Sequence, residues 1–248
     1  MKNRDNWKPT KFVYRKGGLA ASRDPEEVSI SSRLVTDTTA GNYDHYLGKY
    51  AYGKLLDLGC GKVPLFAAYR DHIDDNICVD WENTLHDNEF LDYHCDLTRD
   101  LPFENGEFNT VILSDVLEHI PEPQSLINEI SRVLSPDGVL IMNVPFFYCI
   151  HEQPHDYYRY TEYALRRFIE QSKLEVEILA SAGGTPEVLA DIIAKNILHI
   201  PLIGVSLAEF TQWITALILR TGMGKKVSSM TAGIFPLGYF LVAKKTSS

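Results

Sequence analysis

Two clusters of residues in this chain have the types and spacing to do chemistry. The first is Leu55-Leu56-Asp57-Leu58-Gly59-Cys60-Gly61, followed by Asp80-Trp81, Asp96-Leu97 and Ser114-Asp115. Glycines at 59 and 61 let the backbone turn sharply and come close to a ligand, and the helix start beyond them offers unpaired N–H groups. Asp80 lies 23 residues after Asp57, at the end of the next apolar run. A carboxylate there can accept both hydroxyls of a ribose. Trp81 can pack on a purine, Asp96 and Leu97 can meet its amino edge, and Ser114 closes the following run. Together they are a nucleoside-binding set.

The second cluster lies in Pro145–Thr161, which is dense in His, Asp, Tyr and Arg. Such a loop suits contact with a second substrate. His151 and His155 are candidate proton acceptors for a hydroxyl, oriented by Asp156. Tyr157, Tyr158 and Arg159 are candidate substrate-binding groups, Arg159 for an anionic function. The letters His151-Glu152-Gln153-Pro154-His155 match H-E-x-x-H, which binds zinc only when both histidines share a helix face. Pro154 breaks such a helix. No metal is expected.

These residues need a frame that brings them to one edge. From Lys54 onward, short apolar runs alternate with helical stretches. Strands are expected at Lys54–Leu58, Asn76–Asp80, Tyr93–Leu97, Thr110–Leu113 and Val139–Val144, and later at Glu175–Leu179 and Gly238–Lys244. Helices are expected to begin at Leu65 and to span residues 123–134 and Thr161–Gln171. Leu126, Ile127, Ile130, Val133 and Leu134 fall on one helical stripe. Strand–helix alternation predicts a parallel sheet covered on both faces, with the loops after the strands on one ligand-binding edge.

At this point the chain resembles the class I S-adenosylmethionine-dependent methyltransferases, most closely their type 11 branch. The resemblance rests on Asp57 to Gly61, Val79-Asp80, Asp96-Leu97, Leu101-Pro102-Phe103 with Phe108, Leu113 to His119, Glu129 to Gly138 and Asn143 to Pro145, and it covers residues 50–180. It implies an α/β, Rossmann-like, doubly wound seven-stranded sheet, mostly parallel with an antiparallel last strand. It implies S-adenosylmethionine as cofactor, with Asp57, Gly59 and Gly61 around the methionine part, Asp80 on the ribose, and Asp96 and Leu97 at the adenine. The chain departs from the family pattern at Lys62-Val63-Pro64, where many members place another small residue. The run Pro154–Thr161, with Lys62-Val63-Pro64, is similar to a subgroup associated with surface-polysaccharide synthesis. O-methylation of a glycan or glycolipid-type acceptor is the expected reaction. Another small molecule or lipid, quinone-like, is the alternative acceptor, and a non-catalytic nucleoside-binding scaffold is the rival reading. A nicotinamide dehydrogenase fits less well, because position 64 is proline where G-x-G-x-x-G places its third glycine.

The flanks complete the expectation. Residues 1–50 read as an N-terminal helical arm or lid, with a helix over 31–50 and a basic stretch (Lys2, Arg4, Lys8, Lys11, Arg15, Lys16) that reads as a solvated tail. Residues 51–248 form the cofactor-binding domain, interrupted by a helical insertion at about 186–232, read as a helical hairpin. Charges and Pro201 argue against a membrane span in its apolar 188–220 stretch. A peripheral membrane contact or a homodimer through that stretch stays open. The formal net charge of −9 argues against nucleic acid as a partner. The N-terminus lacks the apolar stretch of a signal peptide, and four cysteines without a C-x-x-C pair point to a reducing cytoplasm, with the inner membrane face open as a docking place.

Overall fold

A computed structural model describes residues 1–82 and 89–246. In chain order it comprises a hairpin of β1 (Phe12–Arg15) and β2 (Gly18–Ala21), then α1 (Arg33–Tyr50), β3 (Lys54–Leu58), α2 (Phe66–Tyr69), β4 (Asp75–Asp80), β5 (Tyr93–His94), β6 (Phe108–Ser114), α3 (Pro123–Val133), β7 (Leu134–Pro145), α4 (Glu162–Gln171), β8 (Leu174–Ala182), α5 (Thr185–Ile197), α6 (Gly204–Arg220), α7 (Gly222–Thr231) and β9 (Gly238–Lys245).

The main sheet has seven strands in the order β5-β4-β3-β6-β7-β9-β8. The pairings β3–β4, β3–β6, β4–β5 and β6–β7 are parallel, and β9 runs antiparallel to both β7 and β8. This is the expected Rossmann-like arrangement. The order reverses between β3 and β6, so the crevice at the carboxyl ends of these strands lies at a topological switch point, where ligands bind in open α/β sheets.

Two apolar layers explain why the central strands read as unbroken apolar runs. On one face Leu56, Val111 and Leu113 pack with Leu126, Ile127 and Ile130 of α3 and Leu165 and Ile169 of α4. On the other, Leu55, Ile112 and Ile141 pack with Tyr43 and Leu47 of α1 and with Phe66. Pro123 opens α3 at its first turn, where a missing N–H costs nothing. Thr161 caps α4, its side-chain oxygen accepting the Ala164 N–H.

Three expectations are corrected. The N-terminal arm is folded onto the domain, and it carries a β-hairpin as well as helix. Phe12 is fully buried against Tyr43, the Trp7 indole N–H donates to the Val63 carbonyl at 3.1 Å, and the ring meets Phe66 edge to face. Apolar burial outweighs the basic composition that suggested a solvated tail. The strand expected at Tyr93–Leu97 keeps only Tyr93 and His94, because Asp96 closes an Asx turn with Thr98. The insertion holds three helices, not two, since the turn at Thr221 caps a further helix, α7, by accepting the Gly224 N–H.

Candidate active site at the strand edge

β3 ends in a turn that only glycine can make. Gly59 has φ +68°, and a Cβ there would lie 2.5 Å from Val116 Cγ2. The N–H groups of Gly59 and Cys60 both donate to the Val79 carbonyl, which ties the turn to the end of β4. Asp80 completes the tie: one carboxylate oxygen accepts the Gly61 N–H at 3.0 Å and the other the Trp81 N–H at 2.8 Å. The departure at Lys62-Val63-Pro64 is absorbed by Val63, which is buried with φ +51° beneath Trp7.

Asp57 takes a deeper position than its neighbours. Its carboxylate is buried and accepts from the Tyr69 hydroxyl at 3.2 Å, and Asn76 in turn donates to that hydroxyl. Burial pushes the Asp57 carboxyl up to about 7. The Tyr69 hydrogen bond opposes this and the Asp80 charge adds to it. Asp96 stands at the mouth with its side chain about half exposed, held by the Thr98 hydroxyl and by Arg99, while Leu97 is buried in the core. Ser114 ends β6 opposite Asn143 of β7. Asn143 donates to Asp115 and its own Oδ1 is buried without a hydrogen-bond partner among the described residues. The chemistry of the groups gathered along this edge fits a nucleoside-type ligand: a carboxylate, an aromatic ring, a close glycine turn and an orphaned acceptor.

After β6 the chain turns through Asp115, at φ +55°, into one 3-10 turn, Leu117–His119. Lys11, on the N-terminal arm, reaches in to pair with Asp115 at 3.1 Å. Glu118 is fully buried and neither carboxylate oxygen has a hydrogen-bond partner in another of the described residues. Burial, then the Asp115 charge, pushes its carboxyl well above the usual range, opposed by its own backbone N–H and then by Arg159. His119 Nδ1 lies 2.8 Å from the His155 carbonyl, which fixes it as the donor and leaves Nε2 bare.

The loop after β7 is held from inside by Arg159. Its guanidinium forks onto both oxygens of Asp156 and also donates to the carbonyls of Tyr148, Cys149 and Tyr158. The Arg159 hydrogen bonds, against partial burial and with help from the His151 N–H and the Arg159 charge, hold the Asp156 carboxyl down at about 2. Asp156 also accepts the His151 backbone N–H at 2.8 Å and lies 3.3 Å from His151 Nδ1. Burial, helped by His119, lowers the His151 imidazole below its ordinary value. The structure thus brings His151 and Asp156 together. Arg159, expected to meet an anionic acceptor, spends most of its donors inside the loop. Tyr158 is also engaged, donating to the Pro121 carbonyl at 2.9 Å. Tyr157 is exposed, with its hydroxyl 3.3 Å from His155 Nδ1.

Residues 151–155 are not helical, and the two histidines of H-E-x-x-H serve different neighbours. The His155 ring meets Trp81 edge to face at 5.1 Å, whereas His151 lies 4.7 Å from the His119 ring. Glu118, His119 and Lys11 also stand here, outside the residues that the sequence proposes for the site. Glu118 and His119 belong to the family-like run Leu113 to His119, just beyond a strand end, and Lys11 to the basic arm.

Residues 56–142 match the family described as a methyltransferase domain. Asp57 to Ser114 of the strand edge lie within that match, and Asn143 and the loop after β7 lie just beyond it. A ubiquinone biosynthesis O-methyltransferase of Chromobacterium violaceum is 32% identical over 95 residues, 34% of this chain and 41% of that protein. A Marinobacter nauticus protein of the same description is 25% identical over 141 residues, 55% of this chain and 56% of that protein. The chain therefore spans about half the length of the curated relatives it matches. Among solved structures, a geranyl diphosphate methyltransferase in complex with its cofactor superposes with a TM-score of 0.56 at 15% identity, covering 92% of this chain and 97% of that one. That likeness shows the methyltransferase fold.

Proposed function

We propose that this chain transfers the methyl group of S-adenosylmethionine to an oxygen of a small acceptor that enters between the loop 146–160 and the arm. The observation that carries this reading is the contact between Trp81, beside the ribose-binding Asp80, and His155, on the acceptor loop. In this assignment Asp57, Gly59 and Gly61 surround the methionine part, Asp80 holds the ribose, Trp81, Asp96 and Leu97 frame the adenine, and Ser114 closes the floor. The cofactor supplies an electrophilic methyl on a sulfonium. The protein aligns the acceptor oxygen behind that methyl and excludes water. His155 receives the acceptor's proton in the tautomer whose Nδ1–H faces the Tyr157 hydroxyl, 3.3 Å away, which leaves a lone pair on Nε2. Arg159 and Asp156 hold the loop that presents His151 and His155, while Tyr157 faces the acceptor.

For the acceptor, the reading is a molecule with an apolar or lipid-linked part. Leu189, Val205, Phe210, Trp213, Met223 and Met230 of α5 to α7 are all exposed. No helix among the described residues is long and apolar enough to cross a membrane. The layer suits a peripheral contact at the inner membrane face, with a homodimer as its alternative cover. Two relatives named for ubiquinone biosynthesis O-methylation support a quinone-like acceptor over a glycan. The test is labelled methyl transfer in cell extract followed by partition into organic solvent. Label in the organic phase supports the lipid reading, label in the aqueous glycan fraction the polysaccharide one. Cofactor binding without any transfer would favour the non-catalytic scaffold.

A further inference from the structure

Three lone-pair atoms converge beside the acceptor loop with nothing between them to reconcile them. Glu118 Oε1 lies 3.7 Å from His119 Nε2 and 3.8 Å from His151 Nε2. All three ligand atoms fall within 4.8 Å of one another. These separations are too long for hydrogen bonds. The edge of a coordination tetrahedron is about 3.3 Å for bonds of roughly 2.0–2.1 Å, so the side chains would close in by several tenths of an ångström to share one ion.

The surroundings fix the orientation of each group. His119 Nδ1 donates to the His155 carbonyl and His151 Nδ1 faces the Cys149 carbonyl and Asp156, so both Nε2 atoms point their lone pairs inward. Backbone carbonyl and carboxylate partners of this kind are what orient metal-bound histidines elsewhere. Glu118 is fully buried, and among the described residues neither of its oxygens nor His119 Nε2 finds a hydrogen-bond partner in another side chain or backbone group. A buried carboxylate left unpaired is costly, and a cation at the centre would satisfy all three groups at once. Glu152 Oε2, 3.9 Å from His119 Nε2, stands at the open side. Asp115 and Asp156 add negative charge around the cluster, Lys11 and Arg159 positive.

We propose that Glu118, His119 and His151 form a site for a divalent cation of the borderline class, such as zinc, cobalt or iron(II). Two imidazoles and one carboxylate select such ions over magnesium or calcium, which favour oxygen ligands. The remaining coordination positions open toward the acceptor loop. The site's role, though not its existence, rests on the function proposed above. There the ion binds the acceptor hydroxyl and lowers its pKa. The proton passes to His155, the oxygen forms its bond to the methyl carbon, and the carbon–sulfur bond breaks to leave a neutral thioether.

The test is a titration of chelator-stripped full-length protein with cobalt, read by visible d–d absorption and by calorimetry. One equivalent is expected to bind with a Kd below 10 μM, taken as roughly three decades tighter than casual surface binding. Glu118→Gln and His151→Ala should each weaken it at least tenfold, and His199→Ala, at an exposed histidine, should not. Far-UV circular dichroism and binding of S-adenosylhomocysteine verify that the variants are folded. Absent or millimolar binding, or equal binding in Glu118→Gln and His151→Ala, overturns the site. If the nucleoside binds while cobalt does not, the metal proposal fails alone. If cobalt binds while the nucleoside does not, the methyltransferase reading fails alone.

Discussion

Trp81 and His155 meet edge to face with ring centroids 5.1 Å apart, joining the loop after β4 to the loop after β7. Sequence reasoning separates these loops into a cofactor side and an acceptor side. The contact makes the division unequal rather than absolute. An aromatic pair of this geometry contributes about 0.5–1.5 kcal/mol.

His155→Ala is therefore expected to weaken S-adenosylhomocysteine binding by no more than about tenfold, which is ~1.4 kcal/mol. Methyl transfer should fall further, by about a hundredfold, because the proton acceptor is lost as well. Calorimetry and single-turnover rates on one preparation read both effects. An affinity that falls as far as the rate would place His155 in the cofactor site alone.

Asp80 holds the turn, and in the proposed assignment it also holds the ribose. Its carboxylate anchors Gly61 and Trp81 through their N–H groups. Asp80→Ala should weaken S-adenosylhomocysteine binding by about 1–3 kcal/mol, through lost hydroxyl contacts and a loosened turn. Asp80→Asn keeps one of the two turn hydrogen bonds and sets its NH2 against the other N–H, and it also takes both the charge and one acceptor away from the ribose. It should recover thermal stability more fully than affinity. Equal recovery of both, measured by melting and calorimetry, would remove the ribose from the account.

The strand edge was legible because strand-to-turn transitions write themselves locally. Asp57, Gly59, Gly61 and Asp80 sit at fixed places on short apolar runs that bury both faces. The buried cluster was not legible. Glu118 and His151 stand 33 positions apart in separate loops, and only the parallel pairing of β6 with β7 brings those loops together. The letters H-E-x-x-H drew attention to His151 within its own loop, whereas its partners came from the preceding crossover. The hairpin of the arm was hidden for another reason. Its two strands have four residues each, and what makes them stable is Phe12 against Tyr43, a contact that no local pattern encodes.

Arg159 illustrates how composition can mislead about role. A guanidinium in a polar loop suggests anion binding, yet this one spends its donors on Asp156 and three carbonyls. Arg159→Ala should leave Asp156, whose side chain is 3% exposed, without its main partner. The expected cost is about 2–4 kcal/mol of stability, with loss of order in residues 148–159. Arg159→Lys should rescue little, since an ammonium cannot make the fork. Melting temperature and limited proteolysis of the loop measure this. A stable variant with an intact loop but a raised KM for the acceptor would restore Arg159 to substrate binding.

Asp57 gives the domain a pH signature separate from catalysis. Its folded carboxyl is pushed up to about 7, from 3.8, chiefly by burial. A carboxyl raised by folding favours the folded state fully only while it is protonated in both states, below about pH 4. That advantage is lost as pH climbs through 7, because the unfolded chain then ionises freely and the folded one must hold a buried charge. Asp57→Asn keeps an oxygen to accept the Tyr69 hydroxyl and removes the titration. The variant should therefore gain on the wild type as pH rises from 5 to 8, by on the order of 2–4 kcal/mol. At pH 4 the two should be nearly equal. Urea unfolding of both proteins at several pH values gives the comparison directly. A stability difference that stays constant from pH 4 to 8 would mean that Asp57 is ionised throughout, with Tyr69 and its neighbours stabilising the charge against burial.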